Sequence, residues 1–451
     1  MVDVPLKDGS TSIGIVGVPR FINPILANSE ADLGLISFIY SGLMRKSENG
    51  LLIPDLAQKY EKSENGLIYT FTLKDDLYFQ DGEILTADDI LFTINKVKDG
   101  IIASPQKIYW DGVNVEKINE KTIKFTLKQP YASFLENTTL GIMPAHLWNN
   151  TTPIELNNAN TNPIGSGPFM ISSINKQSSG TIDYYKLVPF KKFILGEPYI
   201  KNINLHFYKN EDDLIKALVD KKVDQISSIT PINAEDLKSK GFQVESSVLG
   251  RIFGLFFNQN QNQLFIDKTI INAINQAIDK EKIVKEVLLG YGTVINSPIP
   301  PNMTKYPETI INISTPRQEI LKKIQDDLLK AGWKKGADGF LEKTTKVKTK
   351  STTVKLEFSI STGNTPELSK TAQLIKEELQ TIGMKVEVKT FETGNLKQNV
   401  IRPRKYDALL FGETINHESD LFAFWHSSQR KDPGSNVAMY TNTKVDKILE
   451  D

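Results

Sequence analysis

Cysteine is absent from the 451 residues, which excludes disulfides, thiolate-held metals and a cysteine nucleophile. The absence also fits an exported protein that avoids stray thiols. Net charge is missing as well: 54 Lys+Arg balance 54 Asp+Glu, so nothing electrostatic points to nucleic acid or an anionic membrane as a partner. Apolar runs are short, Ile252–Phe257 being typical, and none approaches the length of a bilayer span. Met1–Lys7 has no charged region leading into an apolar one, so no secretory signal is expected in this chain.

Catalytic signatures are equally scarce. Gly-Lys never occurs as a dipeptide, which excludes a phosphate loop of the Walker type. Gly165-Ser-Gly167 and Gly290-Tyr-Gly292 lack the third glycine of a dinucleotide loop, and there is no Gly-x-Ser-x-Gly elbow. Ser104/Lys107 and Ser428/Lys431 match Ser-x-x-Lys without its companion motifs. Of the four histidines, only His417, with Glu418 and Asp420, is spaced to hold a metal. No second helical histidine or cysteine set accompanies them, so a solvated polar loop is expected there. Asp75-Asp76 and Asp88-Asp89 fall at turns and helix starts, where anions are favoured without any catalytic role. These absences favour a binding protein over an enzyme, with no cofactor or metal.

What is present is a large α/β chain. Hydrophobic residues make up 39% and aromatics 9%, enough for two or three packed domains. Leu67, Tyr69, Phe71 and Leu73 alternate as a half-buried strand, with Asn65-Gly66 and Asp81-Gly82 as turns. Thr86 and Asp89 form a capping box ahead of a helix with Ile90, Leu91, Ile94 and Val97 on one face. Ile123, Phe125 and Leu127 mark another strand. The Asn/Thr-rich segment 149–162 and Ile164–Phe169 read as a crossing between compact units. Beyond it, Ile252–Asn258 reads as a buried strand, and Ile270, Ile274 and Ala277 line a helix. Val354, Leu356, Phe358 and Ile360 alternate as one strand, while the Lys/Thr-rich stretch Thr344–Thr353 is expected as an exposed hairpin loop. Thr365 and Pro366 begin a helix that ends before Gly383.

Three blocks carry a specific resemblance: Pro54-Asp-Leu-Ala57, Ser63–Leu73 and Phe79-Gln-Asp81-Gly82 through Asp89. With Gly165-Ser-Gly167-Pro168-Phe169, Val223-Asp224, Ala277-Ile-Asp279, Ala331-Gly332-Trp333, Trp425–Ser428, Asn436 and Val445-Asp446, they resemble, in order along the chain, the extracytoplasmic solute-binding proteins of peptide-type ABC transporters, family 5. The resemblance implies a two-lobed periplasmic-binding-protein-like fold of type II that closes on its ligand and delivers it to a membrane permease. Its first lobe would combine residues 1–40 with 161–249 and carry an inserted subdomain at 41–160. The second lobe would be 250–451. Family members continue past the Val445-Asp446 helix to return to the first lobe, so that return is expected to be absent from this chain. An extracytoplasmic monomer is implied, periplasmic or lipid-anchored, with no nucleic-acid partner.

The resemblance also nominates ligand contacts. Asn28, Ser29 and Glu30 match a cleft-lining loop. Peptide-binding relatives place an aspartate for the peptide amine just after the strand equivalent to Tyr406–Gly412, where this chain has Asn416, or Ile415 with a one-residue slip. Glu413 replaces an aromatic there, so Glu413, Glu418 or Asp420 could take over the cationic end, or the ligand could lack a free amine. A solvated rim charge is the ordinary alternative for Glu413. Arg402 and Arg404 could meet a ligand carboxylate, against a surface or helix-end role. Tyr109, Trp110 and Trp425 are candidate cleft aromatics, with core packing as the ordinary role of each. Peptide is the expected cargo. A metal chelate or sugar on the same fold, or a peptide hydrolase or chaperone on this scaffold, are the alternatives.

Overall fold

A computed structural model describes residues 7–47, 50–102, 104–128, 134–149, 160–178, 180, 182–247, 249–299, 316–347, 350–415, 420–432 and 434–450. The chain divides into two compact units, residues 1–229 and 230–451. No helix among the described residues is long and apolar enough to cross a membrane.

The first unit holds two main sheets and a two-stranded one, Met44–Lys46 paired with Leu52–Pro54. In the larger, Gly9–Val16 lies parallel between Gln225–Ile226 and Ile200–Tyr208, with Ile13 opposite Leu205 and Ile15 opposite Phe207. Ile182–Pro189 and Phe169–Lys176 extend it antiparallel. The smaller sheet is antiparallel in the order Ala57–Lys62, Ile68–Leu73, Thr122–Leu127, Val113–Asn119. The alternation read from the sequence places Tyr69, Phe71 and Leu73 in the core at 2% exposure or less, with Ile123 and Phe125 fully buried beside them. The capping box forms: Thr86 N–H donates to Asp89 at 2.9 Å, and Ala87–Lys98 buries Ile90, Thr93, Ile94 and Val97.

The Gly165–Phe169 crossing runs inside the first unit, against the end of helix Glu30–Ile39. Gly167 N–H donates to the Ile39 carbonyl at 2.8 Å. A Cβ on Gly165 would lie 2.1 Å from the Ile39 carbonyl oxygen, so only glycine fits. Gln80 locks the junction. Its side-chain amide donates to the carbonyls of Ile39, Gly167 and Phe169 at 2.7–3.3 Å, and its oxygen accepts from Gly165 N–H at 3.1 Å.

The second unit is built on a sheet ordered Arg251–Phe257, Ala408–Thr414, Glu357–Gly363, Lys385–Phe391. Only the first pair is antiparallel. Helices Lys268–Ala277, Arg317–Lys330 and Pro366–Thr381 bury Ile274, Leu328 and Leu379 with Phe358 and Ile360 on one side. Leu396, Val400, Tyr406, Leu409, Phe256 and Val437 form a second, smaller cluster. Thr365 occupies the cap position but its side chain makes no capping bond.

The single strand expected over Val354–Ile360 is instead two. Lys350–Lys355 pairs with Leu341–Val347 in a separate three-stranded sheet, and Glu357–Gly363 enters the central one. The break falls at Leu356, which is fully buried; its N–H donates to Leu341 and its carbonyl accepts from Lys385 N–H. The apolar alternation of the sequence runs across the switch, but its burial does not: Val354 is exposed on the first ladder, and residues 358–363 are all buried in the second. Thr344–Thr353, expected as a loop, is mostly ladder-paired strand.

Candidate functional site

In the first unit, the Asn28–Glu30 loop is held from beneath. Asn23 and Asp32 are fully buried; the Asp32 carboxylate accepts from the N–H groups of Arg20 and Phe21 at 2.7 and 2.9 Å. Ser104 donates to the Ile25 carbonyl at 2.5 Å. On this support Asn28 and Glu30 stay exposed, while Ser29 caps the helix by accepting from Asp32 N–H at 3.2 Å. Glu30 lies in that helix's first turn, where the dipole favours its charge.

Tyr109 is half-buried and its carbonyl accepts from the Asn137 amide at 2.7 Å. Trp110 takes the core role: it is 1% exposed and packs on Phe125 and Phe134, with ring centroids 5.7 and 6.0 Å away.

In the second unit the candidates lie at different points along strand Ala408–Thr414: Glu413 near its C-terminal end, and Trp425 against Phe256, the ladder partner of Leu409 near its start. Glu413 faces Ile252 across the ladder and is 4% exposed, so it is not a solvated rim charge. Its Oε2 is buried with no hydrogen-bond partner. Among the described residues no cation forms an ion pair with it. Loss of water without a compensating charge pushes its carboxyl up to about 8, so the neutral acid prevails at pH 7. The Tyr406 hydroxyl, which donates to the Val437 carbonyl at 2.6 Å, has its pKa raised by burial, against which the Arg404 charge pulls down more than Glu413 pushes up. Trp425 is half-buried beside Phe256 and Tyr440, and its indole N–H is also buried and unpartnered. Glu413 and Trp425 thus each carry a buried polar atom that no described residue hydrogen-bonds.

The arginines divide. Arg404 donates to the carbonyls of Ile401, Arg430 and Gly434 at 2.6–3.0 Å, which engages its fork as an internal pin. Arg402 is half-exposed, bonded to Gln398 at 2.9 Å and 3.6 Å from Asp432. Asp420 opens the short helix Asp420–Trp425. Asn416, His417 and Glu418 lie outside the described residues. Among those described, no three His, Cys, Asp or Glu residues are placed to hold a metal.

Gln80 and Asn436 were not recognised from the sequence as structural keys. Asn436 is fully buried; its amide donates to the carbonyls of Trp425, His426 and Tyr440 at 3.0–3.3 Å and so fixes the segment that carries Trp425. Only the motif match at Asn436 hinted at this.

This mixed α/β architecture is that of the type II periplasmic binding proteins. Residues 52–434 match the profile of bacterial extracellular solute-binding proteins, family 5, middle region. The chain belongs to that family and is not an enzyme. Its relatives include the oligopeptide-binding protein AppA of Bacillus subtilis, 28% identical across 99% of this chain and 81% of that protein. Among solved structures it is similar to NikZ of Campylobacter jejuni in complex with Ni(L-His), at 28% identity and a TM-score of 0.71, covering 99% of this chain and 86% of that one. Bacillus subtilis AppA in complex with a nonapeptide is 26% identical with a TM-score of 0.68, covering 99% and 87% of the two chains. The solved neighbours are type II periplasmic binding proteins. Family 5 binding proteins take up peptides or small solutes and work with ABC permeases.

Proposed function

We propose that this protein captures oligopeptides outside the cytoplasm, in the periplasmic space or at the outer face of the cell membrane. It acts as a monomer and delivers its cargo unchanged to the permease of an ABC importer. In this reading residues 1–40 and 161–249 form one lobe, 41–160 its insertion, and 250–451 the other. The supporting observation is the 28% identity to an oligopeptide-binding protein sustained across 99% of the chain.

Glu413 shapes how a peptide is held. A buried carboxylate without a partner is costly, so a ligand ammonium brought to it would supply the missing charge, while a peptide carbonyl could accept from its neutral acid. Asn28, Ser29, Glu30, Tyr109, Arg402, Asn416, Glu418, Asp420 and Trp425 are the further contacts of this reading. Main-chain hydrogen bonds to the peptide then provide affinity with little side-chain preference. A second reading, a metal-chelate receptor, is favoured by the equal identity to a protein solved with Ni(L-His). Calorimetric titration with a mixed peptide pool and, separately, with Ni(L-His) decides between them. Heat with peptides alone supports the peptide receptor; heat with Ni(L-His) alone replaces it by the chelate receptor.

A further inference from the structure

A cavity of about 610 Å³ opens in the second unit between helix Pro231–Ser239 and residues 281–294. Tyr291 ties its two walls together: the hydroxyl donates to Glu235 Oε1 at 2.9 Å. Val284, Leu289 and Val294 give the cavity its apolar surface. The loop beneath is fixed by Gly290 N–H, which donates to the Val284 carbonyl at 3.0 Å, and by Tyr291 N–H, which donates to that of Leu288 at 2.8 Å. The next three N–H groups, of Gly292, Thr293 and Val294, take no partner among the described residues. A run of open backbone amides can pair with the main chain of a peptide.

Two opposite charges line the same cavity and leave each other unpaired. Glu281 and Lys285 stand four residues apart on helix Lys280–Glu286, in the order that favours an ion pair, yet neither forms one among the described residues. The same spacing does close on the opposite wall, where Asp236 and Lys240 pair at 2.6 Å. Single exposed charges are ordinary, and the helix N-terminus accounts for Glu281 by itself. Neither accounts for an acid and a base that face one apolar cavity and stay apart. A ligand carrying both an ammonium and a carboxylate satisfies the two at once. We propose that this cavity binds a zwitterionic dipeptide, with its ammonium at Glu281, its carboxylate at Lys285 and its main chain against residues 292–294. The site is additional to the cargo contacts proposed above and stands whichever solute those contacts hold.

Calorimetric titration of the full chain with alanyl-alanine, its N-acetyl form and its C-terminal amide tests it. Glu281→Gln should weaken the free dipeptide about three- to fivefold, the range of an exposed ion pair. The N-acetyl form has no ammonium, so it should already be weaker by that factor and lose nothing more in Glu281→Gln. Lys285→Gln should weaken the free dipeptide likewise and leave the amide, which has no carboxylate, unchanged. Glu319→Gln removes an exposed acid from helix Arg317–Lys330 and should leave alanyl-alanine binding as it is. Far-UV circular dichroism verifies that the variants are folded. Absence of alanyl-alanine binding, binding that neither cavity variant weakens, equal losses with free and blocked ligands, or an equal loss in Glu319→Gln overturns the proposal. Each of these outcomes leaves the cargo reading to its own titrations with the peptide pool and Ni(L-His).

Discussion

Replacing Glu413 by glutamine keeps the shape of the side chain and removes its titration. The folded protein holds the Glu413 proton up to about pH 8, whereas the unfolded chain releases it near 4.5. Stability from this group is therefore intact below pH 4.5 and is lost progressively as pH rises toward 8. Each pH step of one over which only the folded chain keeps the proton costs about 1.4 kcal/mol, so the loss between pH 5 and pH 8 is roughly 3 kcal/mol. That is a large share of the stability of a typical domain. Urea unfolding followed by far-UV circular dichroism at pH 5, 7 and 8, on wild type and Glu413→Gln, measures it. The variant should match the wild type to within about 1 kcal/mol at pH 5, and by pH 8 should be the more stable by roughly 3 kcal/mol. If both proteins lose stability equally over that interval, burial does not hold the proton on Glu413 and the reasoning fails. The same titration bears on binding. A cationic peptide that ionises Glu413 at pH 6 must release a proton, so the heat of binding should depend on the ionisation enthalpy of the buffer and lose that dependence in Glu413→Gln.

Other substitutions probe the framework. Gly165→Ala forces a Cβ to 2.1 Å from the Ile39 carbonyl oxygen and should destabilise the first unit by about 3 kcal/mol or more, read from its unfolding midpoint. Trp110→Ala should cost about 3–5 kcal/mol while leaving calorimetric peptide affinity unchanged in the cold, as befits a core ring. Arg404→Lys cannot reproduce three divergent bonds and should cost about 1–3 kcal/mol in the second unit with no selective effect on ligands bearing a carboxylate.

The local chemistry of the fold was legible in advance where adjacent residues carry it. Tyr69, Phe71 and Leu73 announce a strand by period alone, and Thr86 with Asp89 announces a helix start, because both signals are complete within a few residues. The ladder switch at Leu356 was not legible, since an alternating pattern reads the same whichever sheet receives it. Distance along the chain hid the rest. Gln80 bonds to carbonyls 41 to 89 residues away, and Arg404 to carbonyls 26 and 30 residues away. A glutamate at a strand end ordinarily stays wet, so only the packed structure could place Glu413 out of water.

Native mass spectrometry of the intact protein mixed with a defined peptide library addresses the central claim most directly. A carrier should display one-to-one complexes whose ejected peptides keep the masses they had before mixing. Cleaved or modified peptides, or bare protein at every peptide concentration, would contradict it.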